Sequence, residues 1–495
     1  MDDELVQGVR RFARGRLDAR AIDAAQKLDP ALLDELRELG LFGLSIPEQY
    51  GGLGLSTLEI CTVIAAMAEE DRSVATTVGL HAGLGTHGLL LFGNDEQKAR
   101  FLPELASGER IASFAATEPT AGSDLGGVRT IAQLQGDELV IDGEKSYVTN
   151  GGFAGLFTVL AKTPGIGGRR AHGLVMIPRE TPGLVIGAEE HKLGIRGSST
   201  ITLHLEGARV PRANLIGEEG QGMNHAHAVL ALGRTVMAAG CLGTAEKALA
   251  LAYAHGQNRV QFRRPIGDME ASRAHLAHMA SLIHAMRASI ADVAARRAAG
   301  ESIETSSTVA KVFCSEGAFD VCDRNIQLHG ALGVLEETGV PLLARDCRVT
   351  RIFEGANDVL LVRLGAALLA SKALHDERLP AHTSRVPAGR AALEVDERLR
   401  RETAALGKRL GVRAIERQRL LLALARAHMN VAVVGAMLSD HAEEPSDLAR
   451  HATAELLTEA SAQLDSLPRL EELSGLERRI TDSLGTAASA EGIPS

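Results

Sequence analysis

The 495-residue chain predicts a mainly helical α+β fold: a helical domain, a β-barrel or sandwich, a second helical domain, a linker and an extra helical domain. Three observations predict it. Helix caps and apolar positions at helical spacing recur over residues 1–110, and short β-rich segments separated by turn residues fill 111–215. Helical patterning then resumes over 216–375 and again over 391–495, with Pro380, Pro387 and Gly389 marking a linker at 376–390. Tryptophan is absent and aromatics are only 3%, so the core must be built from Leu, Ala, Val and Ile, which suits close-packed helices.

In the first part, Asp29 stands as a cap before Pro30 at the first helical position, and Gly40 ends that segment. Ser56-Thr57-Leu58-Glu59 is a capping box, followed by Ile60, Val63, Ile64 and Met67 at helical spacing. Asn94 opens a further helix with Gln97 at the reciprocal position. In the middle part, strands are expected at 129–135, 138–142, 145–149, 156–162, 173–178 and 201–206, with Gly136-Asp137 and Asp142-Gly143 as turns. No internal repeat of fixed period is found.

The composition, 45% hydrophobic and 23% charged, is that of a globular protein, and the net charge of −10 argues against a general nucleic-acid binder. Cys61, Cys241, Cys314, Cys322 and Cys347 are scattered without a CxxC, which reads as reduced core thiols and offers no metal site. The start Met1-Asp2-Asp3-Glu4 lacks the pattern of a signal peptide, and no apolar run approaches the ~18 residues that span a bilayer. A cytoplasmic protein is therefore expected.

Five patches could carry chemistry. Thr117-Glu118-Pro119-Thr120-Ala121-Gly122-Ser123-Asp124 is a polar run of small residues whose N–H groups could approach an anionic or heteroaromatic ligand. Tyr147-Val148-Thr149-Asn150-Gly151-Gly152 ends a strand with an aromatic ring one strand step from a hydroxyl. Arg259-Val260-Gln261-Phe262 and Gln327-Leu328-His329-Gly330-Ala331-Leu332-Gly333 supply a cation, an amide and close backbone approach, as a pyrophosphate requires, though the second lacks the βαβ context of a dinucleotide fingerprint. Arg351-Ile352-Phe353-Glu354-Gly355-Ala356-Asn357-Asp358 sets a carboxylate among apolar neighbours at a helix junction, where desolvation raises a carboxyl pKa toward that of a general base. Taken singly, each is better read as a plain turn, strand end or helix end.

Together, in this order and spacing, they resemble the acyl-CoA dehydrogenase family over about residues 5–375. TEPTAGSD is similar to the family's TEPxxGSD loop, YVTNGG to its WITNG strand, KLGIRGSST to the segment closing the barrel, RVQF to RxxF, and RIFEGAND to the EGT-type catalytic loop. FTVLAKTP, RIFEGANDVL and the C-terminal extension resemble the very-long-chain branch.

The resemblance implies a four-helix-bundle-like domain over 216–375, FAD as cofactor and acyl-CoA as substrate. It implies that Glu354 abstracts the α-proton and that its backbone N–H, with a flavin ribityl hydroxyl, polarises the thioester carbonyl. Phe114, Thr117, Gly122 and Ser123 would lie along the flavin, with Ser123 also near the CoA arm. Thr149 would reach flavin N5 and Tyr147 would cover one face. Arg259 and Phe262 would reach the FAD of a neighbouring subunit, Gln327 and Gly330 the pyrophosphate, Ala356 and Asn357 the cofactor, and Arg234 and Gly355 the substrate. Some relatives carry the base just before the Arg234 equivalent; here that residue is Gly233, which leaves Glu354.

Tyr147 replaces the usual tryptophan, Ala331 a glycine, Ala356 a threonine, and Ala231 a position often Asp or Asn. Those departures keep open a non-catalytic binding or assembly protein, and an oxygen-using flavoenzyme on the same fold. The resemblance further implies β-oxidation of medium-to-very-long straight-chain fatty acyl groups, electron-transfer flavoprotein as acceptor, and a homodimer. The helix carrying Gly79, Gly83 and Gly85 would line the acyl pocket, its glycines serving either to leave room beside a long chain or to pack helices. Leu420, Leu421, Leu422, Leu424 and Ala425 could bury a helix of the extension against the catalytic core. The basic run from Arg398 to Arg419 reads as a face neutralising the acidic remainder or as a peripheral membrane contact.

Overall fold

The computed structural model describes residues 3–168, 171–370, 379, 386–439 and 445–490. They divide into two units, 1–356 and 357–495. Most of the linker expected at 376–390, Pro380 included, lies outside the described residues.

The first unit opens with helices α1 (Asp3–Arg16), α2 (Ala19–Ala25), α3 (Pro30–Glu38), α4 (Thr57–Ala68), α5 (Arg72–Leu80), α6 (Thr86–Phe92) and α7 (Asp95–Ser107). The caps read from the sequence form: Asp29 accepts from Ala31 N with Pro30 in the first turn, and Ser56/Glu59 and Asn94/Gln97 each close a reciprocal box. Between α5 and α6 the chain widens into a π-helical turn, His81–Gly85, an irregularity frequent at functional sites.

Eight strands follow: β1 (Ala112–Ala115), β2 (Ile131–Gln135), β3 (Glu138–Thr149), β4 (Leu156–Lys162), β5 (His172–Pro178), β6 (Leu184–Glu189), β7 (Thr200–Pro211) and β8 (Leu215–Ile216). They form one sheet ordered β6-β7-β3-β2-β4-β5-β8, with β1 parallel beside β4. One apolar cluster draws on most of the sheet's strands, with Ile141, Phe157, Val175 and Leu203 at its heart and Leu184 of β6 and Leu215 of β8 at its edges, while Leu160, Leu174 and Ile216 join a second cluster with the helices. Asp142-Gly143, expected as a turn, lies instead within the continuous β3. Its pairing with β7 slips there, and Gly143 takes φ 151, so the turn-like dipeptide marks a bulge. A second slip, between Lys145 and Val148, throws Tyr147 outward with φ 57.

One buried ion pair holds the β1–β2 loop to β3. The Lys145 ammonium, fully buried, donates to Glu118 at 2.7 Å, and Glu118 also accepts from the N–H groups of Arg129 and Thr130. The segment after β6 docks on α11 (Val340–Arg348): Ile195 N donates to buried Asp346, and Arg345 donates to Leu193 O while pairing with Asp23.

The helices α8 (Gly222–Asn258), α9 (Glu270–Ala298) and α10 (Glu304–His329) complete this unit, with a two-stranded hairpin of β9 (Val260–Gln261) and β10 (Arg264–Pro265) between α8 and α9. Helix α8 packs against α4, α5, α9 and α10. Its Gly243 allows one crossing: a Cβ there would stand 2.0 Å from Ala65 O. All five cysteines are buried and reduced; burial pushes Cys61 up to about 12 and Cys241 up to about 11, which makes inert thiols of them.

The second unit contains α12 (Asn357–Ala370), α13 (Pro387–Leu410), α14 (Gln418–Ser439) and α15 (Asp447–Ala490). Leu420, Leu421, Leu424, Ala425, Met429, Val431, Val433 and Val434 are buried, and α14 packs on α12, α13 and α15 within this unit. Arg398 pairs with Asp465 and Arg400 with Asp396, so acids of the same unit neutralise part of the basic run. One expectation is corrected here: α8 and α14 are each long and apolar enough to cross a membrane, yet most of each is buried inside the protein. A helix packed on all sides becomes apolar all round.

Lys145→Met strips the counter-charge from Glu118 but leaves its two backbone donors. Thermal and urea unfolding should show a loss of about 3 kcal/mol, the lower end for breaking a buried pair. An unchanged midpoint would remove this pair from the list of structural supports.

Candidate active site

Glu354 sits in a turn between the 3-10 segment Val349–Arg351 and α12. Glu354 has φ 55 and Gly355 φ 103, two successive left-handed residues. For a glutamate this conformation carries a strain cost, so surrounding contacts must hold it. Two side chains do so. From α8, Arg234 Nε donates to the Glu354 carbonyl at 3.1 Å. From α10, Lys311 Nζ donates to the Gly355 carbonyl at 2.8 Å. Both cations are buried.

Glu354 is half-buried as a residue, and its carboxyl points inward, with Oε2 buried and without a hydrogen-bond partner among the described residues. The room it occupies exists because residue 233 is glycine. A Cβ at Gly233 would lie 2.7 Å from Glu354 Oε2 and 2.2 Å from Leu84 Cδ2. Leu84 comes from the π-helical turn, which thereby contributes a wall to the site. Burial raises the Glu354 pKa to about 7, against the lowering pull of Lys311, Arg234 and Arg72. A carboxylate near half-ionisation at neutral pH, in an apolar niche, has the properties of a general base.

The first two patches come together. Phe114 is buried on β1, Thr117 is half-buried, and Gly122 and Ser123 are exposed on the loop beyond. Thr117 O accepts from Ser146 N, and Ser113 Oγ donates to Thr149 O at 2.6 Å, which ties this loop to the end of β3. Tyr147 is 69% exposed beside half-buried Thr149. Space is open above the loop, since a Cβ on Gly122 would meet only Thr117 Cγ2, at 3.9 Å. An exposed aromatic ring beside small residues and hydroxyls fits a flat, polar-edged ring system such as a flavin.

Arg259, Phe262, Gln327 and Gly330 form a separate group. They lie at the far ends of α8 and α10, joined by the stacked rings of His255 and His329, 4.2 Å apart. All four are exposed, Phe262 at 87%. The 25 residues from Arg234 to Arg259 correspond to about 37 Å of helix. This group therefore does not converge on the site of its own chain's Glu354. Gly355 and Ala356 are half-buried in the Glu354 turn, and Asn357 is buried as the first residue of α12.

Gly79 and Gly85 are packing positions: a Cβ at Gly79 would approach Val236 Cγ1 to 3.1 Å, and one at Gly85 Ala112 Cβ to 2.7 Å. Gly83 faces Gly233 at ordinary contact distance. Gly79 thus allows close packing on α8 and Gly85 close packing on β1. Lys311, Arg72, Leu84 and Ser113 were not singled out from the sequence. A lysine inside the apolar run Val309-Ala310-Lys311-Val312-Phe313 was the available signal for the first.

Comparison with known proteins matches three domain families in succession. The acyl-CoA dehydrogenase N-terminal domain covers residues 2–109, the middle domain 113–208 and the C-terminal domain 220–369. The mouse mitochondrial very long-chain specific acyl-CoA dehydrogenase is 37% identical over 374 residues, which is 74% of this chain but 57% of that protein. The structure of an acyl-CoA dehydrogenase from Bacillus anthracis complexed with FAD superposes with a TM-score of 0.83 at 27% identity, covering 97% of this chain and 90% of that one. Butyryl-CoA dehydrogenase from Megasphaera elsdenii gives 0.72 at 33% identity, over 74% of this chain and 99% of that one.

A carboxyl whose folded pKa is raised weakens the fold once it ionises: its contribution is intact below about 4.5 and lost as pH rises through about 7. Glu354→Gln should therefore unfold at higher temperature than the parent at pH 8, by an amount on the order of 3 kcal/mol, with the gap closing by pH 5. A gap that does not depend on pH would contradict the buried, ionising carboxyl.

Proposed function

This chain belongs to the acyl-CoA dehydrogenase family, and on that premise we propose that it is an FAD-dependent enzyme converting acyl-CoA thioesters to trans-2-enoyl-CoA. The observation that carries this reading is the Glu354 carboxyl, whose Oε2 is buried beside Gly233 without a hydrogen-bond partner among the described residues and whose pKa burial raises to about 7.

The α-hydrogen of a thioester is weakly acidic, and a desolvated carboxylate held against it is matched to remove it. Glu354, ionised, takes that proton. Its N–H, which has no partner among the described residues, is available to the thioester oxygen where negative charge develops. Bound FAD would supply the acceptor for the hydride that leaves the β-carbon. Phe114, Thr117, Gly122, Ser123, Tyr147 and Thr149 are the residues that would hold its ring system, on the surface where the β1 loop meets β3. Arg234 fixes the Glu354 turn from α8.

Arg259, Phe262, Gln327 and Gly330 are too far along their helices to serve this chain's own site, which supports their reaching the cofactor of a second copy. Phe262, Val260 and Val334 are apolar side chains exposed near that end, as a subunit contact requires. We place the oligomer as a homodimer and electron-transfer flavoprotein as the acceptor. The long-chain preference rests on the very long-chain relative, and β-oxidation is the pathway class it suits.

Purified protein should be yellow, and anaerobic addition of acyl-CoA should bleach it. Across a chain-length panel, catalytic efficiency should peak at long straight chains, with each further buried methylene adding up to about 0.8 kcal/mol while the pocket lasts. A peak at butyryl-CoA would refute the chain-length proposal and leave the reaction standing. Glu354→Gln should keep the FAD absorbance and lose at least ~10²-fold in turnover. Light scattering should give a dimer for the full chain, and a tetramer would overturn that proposal.

A further inference from the structure

We infer that Lys311 is a positioning residue for the base: its buried ammonium holds the Glu354–Gly355 turn by the Gly355 carbonyl and favours the ionised carboxylate by its charge. The inference deepens the reading of Glu354 as the base and rests on it.

Lysine is almost never fully buried unless paired, because an ammonium loses its hydration on entering the core. Lys311 is fully buried in α10, between Val309-Ala310 and Val312-Phe313. A methionine would fill the same volume without that penalty, so packing alone gives no reason for the charge. The Nζ–Gly355 bond does. Arg234 grips the carbonyl of the Glu354–Gly355 peptide and Lys311 the carbonyl of the next peptide, Gly355–Ala356. The two anchors come from different helices and hold the successive carbonyls of the two left-handed residues. Together they fix the direction in which the Glu354 side chain leaves the backbone.

Among the described residues, charged and titratable groups from three helices face this pair. Arg72 from α5 and Arg234 from α8 act with Lys311 on Glu354. Cys241 from α8 and Glu316 from α10 also face Lys311. Burial lowers Lys311 to about 8 while Glu354 holds it up, and Lys311 in turn comes first among the groups that pull Glu354 down. Removing the ammonium therefore raises the pH at which Glu354 ionises, although the two arginines remain.

The test uses FAD-loaded full-length enzyme and records kcat and KM from pH 5.5 to 9, the flavin spectrum and the melting temperature. Lys311→Met should stay yellow and hold KM within about twofold, while kcat falls ~10²-fold at neutral pH. Its acid limb should move up by about one pH unit, the scale of a lost neighbouring charge. Lys311→Gln keeps a donor for Gly355 O but no charge. It should recover much of the loss at pH 9 while the limb stays displaced, and it carries the test if Lys311→Met does not fold. A limb at its original pH in both variants, or a loss of kcat that is uniform with pH and follows a fall in melting temperature, would reduce Lys311 to a packing residue. A wild-type protein whose Glu354→Gln variant keeps full turnover would remove the base itself, and this inference with it.

Discussion

The site depends on one constraint: a glutamate must be kept in a left-handed turn with its carboxyl out of water. Neither condition is favourable alone. The turn stands because two buried cations from separate helices grip its successive carbonyls. Oε2 of the carboxyl is buried beside Gly233 and Leu84, where the missing Cβ at 233 leaves room for it. Burying the cations is costly in turn, and the carbonyls and the carboxylate supply their compensation. The long α8 is thus more than a core element. It delivers Gly233 and Arg234 from adjacent positions, one giving space and the other a hydrogen bond.

Much of this could be read before the structure. The capping boxes at Ser56 and Asn94 are local chemistry, complete within four residues, and they form as read. The order of helices, strands and helices follows from hydrophobic period and was equally legible. The Glu354 motif was found through its likeness to a family rather than through its own pattern, which resembles any helix junction.

What escaped the sequence was non-local. Asp142-Gly143 has the composition of a turn, but its neighbours Ile141 and Leu205 both belong to the sheet core, and burial kept the strand running through. Strand β6 alternates poorly and is largely exposed at the sheet edge, so it lacks the period that reveals a buried strand. Lys311 and Arg72 serve a turn remote in the chain, and no window of sequence contains both partners. The apolar length of α8 misleads in the opposite sense, since a helix surrounded by helices matches a membrane span in composition.

Gly233 also couples two distant parts of the chain. A Cβ at 233 would stand 2.7 Å from Glu354 Oε2 and 2.2 Å from Leu84 Cδ2, both ends of flexible side chains, so a small residue there displaces the carboxyl instead of barring it. A substitution at 233 would therefore act on where the Glu354 carboxyl points without touching the turn that carries it, because Arg234 and Lys311 grip that turn by its backbone carbonyls and not by the side chain.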